Sequence, residues 1–122
     1  MGSKTEGMTA DDRVDFGGGL FTSRVTTEDF EPDPDVPGTE QHVLYASDGP
    51  SAGMSRVTAE GDPIAWRLPK REFLLVLEGA ARIEVKDGPT LNLRAGDMAT
   101  IPAGTQTTWH ISAPFKEFWV LG

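Results

Sequence analysis

From Gln41 onward, apolar and polar positions alternate along most of this chain, and clusters of turn-forming residues interrupt the alternation at short intervals. Ala81, Ile83 and Val85 share one parity, and Arg82, Glu84 and Lys86 share the other. A period of two is strand spacing, because successive side chains of a strand point to opposite faces. The pattern predicts strands over His42–Ala46, Gly53–Ala59, Ile64–Leu68, Glu72–Leu77 and Ala81–Lys86. It predicts four more over Thr90–Arg94, Met98–Ile101, Gln106–Ile111 and Lys116–Leu121. Between them, Ser47–Pro50, Glu60–Pro63 and Asp87–Pro89 carry the Asp, Gly and Pro of tight turns. No stretch keeps a helical apolar period over about twelve residues. Short strands with frequent Gly/Pro turns predict an all-β sandwich or barrel.

The first forty residues read differently. Residues 1–12 are polar and unpatterned, which predicts a disordered tail. Residues 13–40 form an N-terminal arm. Gly17, Gly18 and Gly19 suit a loop or bulge, and Thr22–Thr27 has the β-branched content of a short strand. Glu31–Gly38 holds three prolines, so it is expected to be irregular and to wrap the outside of the domain. Residues 41–122 make the barrel.

Composition narrows the function classes. A chain of 122 residues supports one domain with a real core. The absence of cysteine excludes disulfides, thiolate metal sites and Cys nucleophiles. The net charge is −8, with ten Asp/Glu against three Lys/Arg in residues 1–40 and nine against eight in residues 41–122. Such a surface repels phosphate backbones and anionic lipids, so neither a nucleic-acid nor a membrane partner is expected. The acidic segment itself reads as solvated chain that aids solubility. No apolar run approaches the ~20 residues of a membrane span, and the N-terminus has no apolar signal segment. A cytoplasmic location is expected. Gly17–Gly19 lack the strand–helix context and the lysine of a phosphate loop.

The most specific signal lies between Glu72 and Trp109. Glu72 is followed, after six residues, by Gly79, and Gly96, Pro102 and Gly104 follow in the spacing G-x5-P-x-G. These spacings resemble the structural halves of the two motifs of the cupin superfamily. The resemblance implies a cupin-type double-stranded β-helix, or jelly-roll, barrel with an N-terminal arm. A Glu-x-x-x-Val-Leu-Glu-Gly run at Glu72–Gly79, then Trp109, Pro114 and an aromatic strand over Phe115–Leu121, is also similar to small single-domain cupins of the (S)-ureidoglycine aminohydrolase kind. The superfamily's motifs carry three metal-binding histidines. Here those positions fall on Trp66 and Leu68 (or Ala65 and Arg67) and on Thr107. The expectation is therefore no metal and no other cofactor.

The chain's two histidines do not replace the missing ligands. Parity puts Thr107, Trp109 and Ile111 on one face and His110 on the other. His42 has no carboxylate near it in sequence. The lumen is expected to present Trp66, Leu68, Glu72, Leu74, Thr107 and Trp109, an apolar, aromatic cup with one carboxylate and one hydroxyl. Burial should raise the pKa of Glu72 and suit it to acid/base work. Alternatively, Glu72 pairs with Arg56, Arg67 or Lys70 and serves structure alone. Trp66 and Trp109 either stack on a flat ligand or fill the space left by the histidines. Asp97 reads as a turn-capping residue. The candidate ligand-binding set is Trp66, Glu72, Thr107, Trp109 and Arg56, with Glu72 the catalytic candidate.

Three functions remain open. One is a metal-independent small-molecule-binding module, accessory or regulatory. Another is an enzyme acting on a small polar metabolite (a ureido, amino-acid or sugar derivative). The last is a structural domain with a filled barrel. A homodimer is expected, because an open edge strand invites association.

Overall fold

In the computed structural model, residues 12–122 are described, and they are all-β. The expectation for the tail falls, apart from Asp12, outside the described residues. A small hairpin pairs β1 (Val14–Asp15) with β2 (Phe21–Thr22). Eight further strands form one hydrogen-bonded network: β3 (Glu31–Pro32), β4 (Glu40–Tyr45), β5 (Ser51–Val57), β6 (Ile64–Arg67), β7 (Glu72–Val85), β8 (Thr90–Arg94), β9 (Met98–Ile101) and β10 (Gln106–Leu121).

Two long strands organise the barrel. β7 and β10 run antiparallel from Val85↔Thr107 to Glu72↔Leu121. The first part of β10 pairs on its other side with β6, and the last part pairs with β5. β7 likewise pairs with β9 through Glu72–Leu75 and with β8 through Ala80–Glu84. The result is two layers that share their central strands: β3-β4-β5-β10-β7-β9 and β6-β10-β7-β8. This is the jelly-roll barrel expected.

The sequence pattern split β7 at Gly79 and β10 near Pro114, whereas both strands continue and bend there. The pairing of β10 with β7 shifts between Ser112 and Glu117, directly across from Gly79. Gly79 takes φ +77°, and a Cβ on it would lie 2.2 Å from the Pro114 carbonyl oxygen. Glycine alone fits that crossing, so the bend needs no break. Inward parity on β7 changes at the bend, from Glu72, Leu74 and Val76 to Ala81 and Ile83. On β10 the odd-numbered residues Thr107, Trp109, Phe115 and Glu117 are buried throughout.

The core between the layers centres on Leu68, Val76, Ile83 and Phe115, all about fully buried. Each such side chain contributes roughly 1.5–3 kcal/mol through burial. The motif turns hold the layers together. Gly96 donates to the Val76 carbonyl, Val76 donates to the Asp97 carbonyl, and Asp97 accepts from the Arg94 N–H at 3.0 Å. Asp97 is thus the turn cap it was expected to be.

The arm departs from expectation in two places. Thr22–Thr27 is not a strand: β2 ends at Thr22, and Thr27 N–H closes a turn on the Arg24 carbonyl. β-branched residues alone do not make a strand without a partner to pair with. Conversely, Glu31 and Pro32 do pair, at the sheet edge, where a proline's missing N–H is tolerated. His42 pins this arm. It is buried, its Nδ1 donates to the Asp29 carbonyl at 2.7 Å, and its Nε2 accepts from Ser23 Oγ at 2.7 Å. Its role is structural, as read. No described helix is long and apolar enough to cross a membrane.

Candidate functional site

The end of the barrel built from β4, β5, β6 and the last part of β10 is not filled. A cavity of about 170 Å³ remains between the layers. At ~30 Å³ per water it has room for five or six waters. That is below the roughly 300 Å³ of a drug-sized pocket. Its walls come from strands whose parity aims them inward: Trp66 from β6, Glu72 from β7, Ser55 from β5, and Trp109, Glu117 and Trp119 from β10. The acidic arm completes it with Asp33, Asp35, Val36 and Thr39. Asp35 is exposed and Asp33 half-buried, which puts them at the rim.

All three tryptophans of the chain face this cavity. Each indole N–H is engaged. Trp109 donates to Thr107 Oγ1 at 2.9 Å, Trp119 donates to Ser55 Oγ at 2.8 Å, and Trp66 donates to the Glu72 carboxylate. Fixing the N–H fixes the ring, so the walls offer ordered aromatic surface. Gly53 makes room for one of them: a Cβ there would come within 3.1 Å of the Trp119 ring and 2.5 Å of the His42 carbonyl oxygen.

Two carboxylates are buried with the rings. Glu72 is 5% exposed and Glu117 is 7% exposed. Burial raises the Glu72 pKa from 4.5 to about 7, and the Trp66 hydrogen bond opposes that rise. Burial pushes Glu117 well above the carboxylate range, and the nearby charge of Glu72 pushes it further. Like charges in one dry site cannot both ionise easily, so the pair retains a proton toward neutral pH. Two buried polar atoms have no hydrogen-bond partner among the described residues, Glu117 Oε1 and Thr39 Oγ1, and both residues line this cavity.

The structure brings together Glu72, Trp66 and Trp109 from the expected set. Two others do not line the cavity. Thr107 is buried behind the wall, where its hydroxyl donates to the Trp66 carbonyl at 2.6 Å and accepts from Trp109. Both its capacities are used by the fold. Arg56 points out of the barrel, because on β5 it is Ser55 and Val57 that face inward. Its guanidinium binds Glu40 at 2.7 Å and Glu28 at 2.8 Å and covers the Phe30 ring. The alternative ion pairs for Glu72 fail with it. Lys70 donates to the carbonyls of Asp48 and Gly49, and neither it nor Arg67 lines the cavity. Leu68 and Leu74 pack in the core. His110 lies on the outer face with Glu84, 2.9 Å away.

Sequence reasoning missed Glu117, Trp119, Thr39 and the rim aspartates. The signal for Glu117 and Trp119 was present: extending the parity of Thr107, Trp109 and Ile111 through Pro114 places both inside. The arm residues carried no such signal, since a proline-rich segment has no period to extend.

A cupin fold implies a metal, and the side chains here do not fit one. Neither Trp66 and Leu68, nor Ala65 and Arg67, nor Thr107 supplies a histidine at the motif positions. Among the described residues, no three His, Cys, Asp or Glu side chains group closely enough to hold an ion. What the site offers is two buried carboxyl groups with raised pKa values, two unpartnered oxygens, and aromatic walls.

No curated protein matches the chain. Among solved structures it is similar to a putative ethanolamine utilization protein Q from Salmonella typhimurium, at 20% identity and a TM-score of 0.73 over 89% of this chain and 90% of that one. The EutQ protein of Clostridium difficile is similar at 19% identity, with a TM-score of 0.71 over 93% and 96%. A cupin superfamily protein from Desulfitobacterium hafniense gives 19% identity and a TM-score of 0.60 over 70% and 77%. At these identities the likeness is one of fold. The finer similarity to (S)-ureidoglycine aminohydrolase stays an expectation of the sequence. The profile of the EutQ-like cupin domain matches residues 49–118, more than half of the chain, and the chain therefore belongs to the EutQ-like cupin family.

Proposed function

We propose that this cupin is a metal-independent binding protein for a small molecule held in the barrel, with an accessory or regulatory role. One observation carries the reading: a cavity walled by three pinned tryptophans holds a buried carboxylate with an unpartnered oxygen. A filled structural barrel would close that space. Mostly apolar walls with few convergent polar groups are the usual make-up of a ligand pocket. The test is a mass-spectrometric search for a metabolite released from the purified protein, joined to tryptophan fluorescence on adding it back. A specific compound that changes the indole emission supports the reading. Empty protein whose emission responds to no member of a metabolite library would overturn it.

Glu72 favours a second reading. A carboxyl whose pKa stands near 7, beside a second buried carboxylate, is suited to acid/base catalysis at neutral pH. In an enzyme of this kind, Glu72→Gln should abolish turnover of a small polar metabolite while leaving the fold intact. A cytoplasmic location belongs to the same proposal, in keeping with a chain that lacks cysteine. So does a homodimer, which sedimentation velocity would test.

A further inference from the structure

We infer that the cavity selects a small protonated amine, whose ammonium group seats against Glu117 and Thr39 among the tryptophan rings. The inference rests on the binding-site reading above and names the ligand class. Three observations lead to it. First, every charged side chain facing the cavity is acidic: Glu72 from β7, Glu117 from β10, and Asp33 and Asp35 from the arm. β4, β5 and β6 contribute no charge to its walls. An anion would meet four carboxylates and no cation.

Second, the cavity holds two oxygens with unmet hydrogen-bonding capacity. Glu117 Oε1 and Thr39 Oγ1 are buried oxygens without a partner, and both can accept. A buried acceptor without a donor is destabilising, so a ligand that brings N–H groups gains most there. An ammonium brings several, with the charge that a buried carboxylate lacks.

Third, the three tryptophans line the cavity with their N–H groups already used within the protein, so what they have left to offer a ligand is ring surface. Aromatic faces attract cations through the ring quadrupole, and tryptophan does so best. The volume of about 170 Å³ accommodates a short amine.

Binding should favour the ionised form of the buried carboxyl groups and so release a proton from them. The carboxylates facing the guest are Glu72, Glu117, Asp33 and Asp35, and the first two carry the raised pKa values. An alkylammonium, with a lysine-like pKa of about 10.4, stays charged across the neutral range. Affinity should therefore rise as pH rises from about 6 to 8.

The experiment uses three probes of one size: propylammonium, 1-propanol and propionate, titrated calorimetrically into the full chain at pH 6 and pH 8. The expected result is propylammonium binding at least about tenfold tighter than 1-propanol, and propionate not binding. The preference should grow at pH 8 and shrink by about tenfold in Glu117→Gln. Asp33→Asn, at the rim and away from the packed core, should reduce it less. Equal binding of propylammonium and 1-propanol, or a preference for propionate, would overturn the amine assignment and leave the binding site standing. If none of the three binds or alters tryptophan fluorescence, the amine assignment and the site both fall.

Discussion

Thr107 and Glu117 lie ten residues apart on one strand, face the same way and are buried to the same degree. They behave in opposite ways. Thr107 is satisfied on both sides: it donates to the Trp66 carbonyl and accepts from Trp109. Glu117 leaves an oxygen without a partner and keeps its pKa far above the ordinary range. The first end of the strand is locked by the fold for the fold. The second is left polar and unmet beside a cavity. Buried polar groups in native proteins are nearly always hydrogen-bonded, and the unmet one is what the proposed ligand site rests on.

The largest test of this contrast strikes the packing between the two ends. Phe115 is 2% exposed and sits between them. Phe115→Ala should destabilise the protein by about 3–5 kcal/mol in denaturant titration. A loss below about 1 kcal/mol would mean the two ends are not joined by one core.

Removing each polar group should then give opposite signs. Thr107→Val strands a buried carbonyl and a buried indole N–H, and should destabilise by about 1–3 kcal/mol. Glu117→Gln keeps the shape and removes a carboxyl whose charged form burial disfavours, so it should be neutral or stabilising by up to about 4 kcal/mol. Two losses of equal size would erase the distinction drawn here.

The pH dependence separates the ends further. Glu72 in the folded protein titrates near 7, above its ordinary value of 4.5. The folded state therefore holds a proton that the unfolded chain has released between those values. The stability associated with this proton is full below about pH 4.5, is lost as pH rises to about 7, and is constant above that. At ~1.4 kcal/mol per unit, the change is on the order of 3 kcal/mol. Thermal melts should accordingly show a higher Tm at pH 5 than at pH 8, and Glu72→Gln should flatten the slope. A Tm that rises from pH 5 to pH 8 would contradict the assignment.

Arg56 provides the smallest effect. Arg56→Ala breaks two largely surface ion pairs and a contact with Phe30, so it should cost about 1 kcal/mol or less and leave any cavity ligand bound as before. Loss of ligand binding in this variant would restore the role first read for it from the sequence.

The barrel was legible because glycine and proline report on backbone geometry. Gly79, Gly96 and Gly104 all take positive φ, and their spacing announces the turns that need it. Glu72, Trp66 and Trp109 were legible because they sit at fixed offsets from those turns. Glu117 was not, since Pro114 read as a break and strand parity was not carried across it. Arg56 misled because a charge on a short strand does not reveal its face. Asp33, Asp35 and Thr39 reach the site by tertiary packing of the arm, which no local pattern encodes.

The central claim is that Glu72 and Glu117 form a buried pair that keeps a proton toward neutral pH. The most direct measurement is a titration of the glutamate side-chain carboxyl carbons by carbon-detected NMR. The account predicts one resonance, Glu72, that titrates near 7, a second, Glu117, well above the ordinary carboxylate range, and Glu84 below it. Both outlying resonances should be altered when either Glu72 or Glu117 is changed to Gln. A titration in which every glutamate ionises near 4.5 would contradict it.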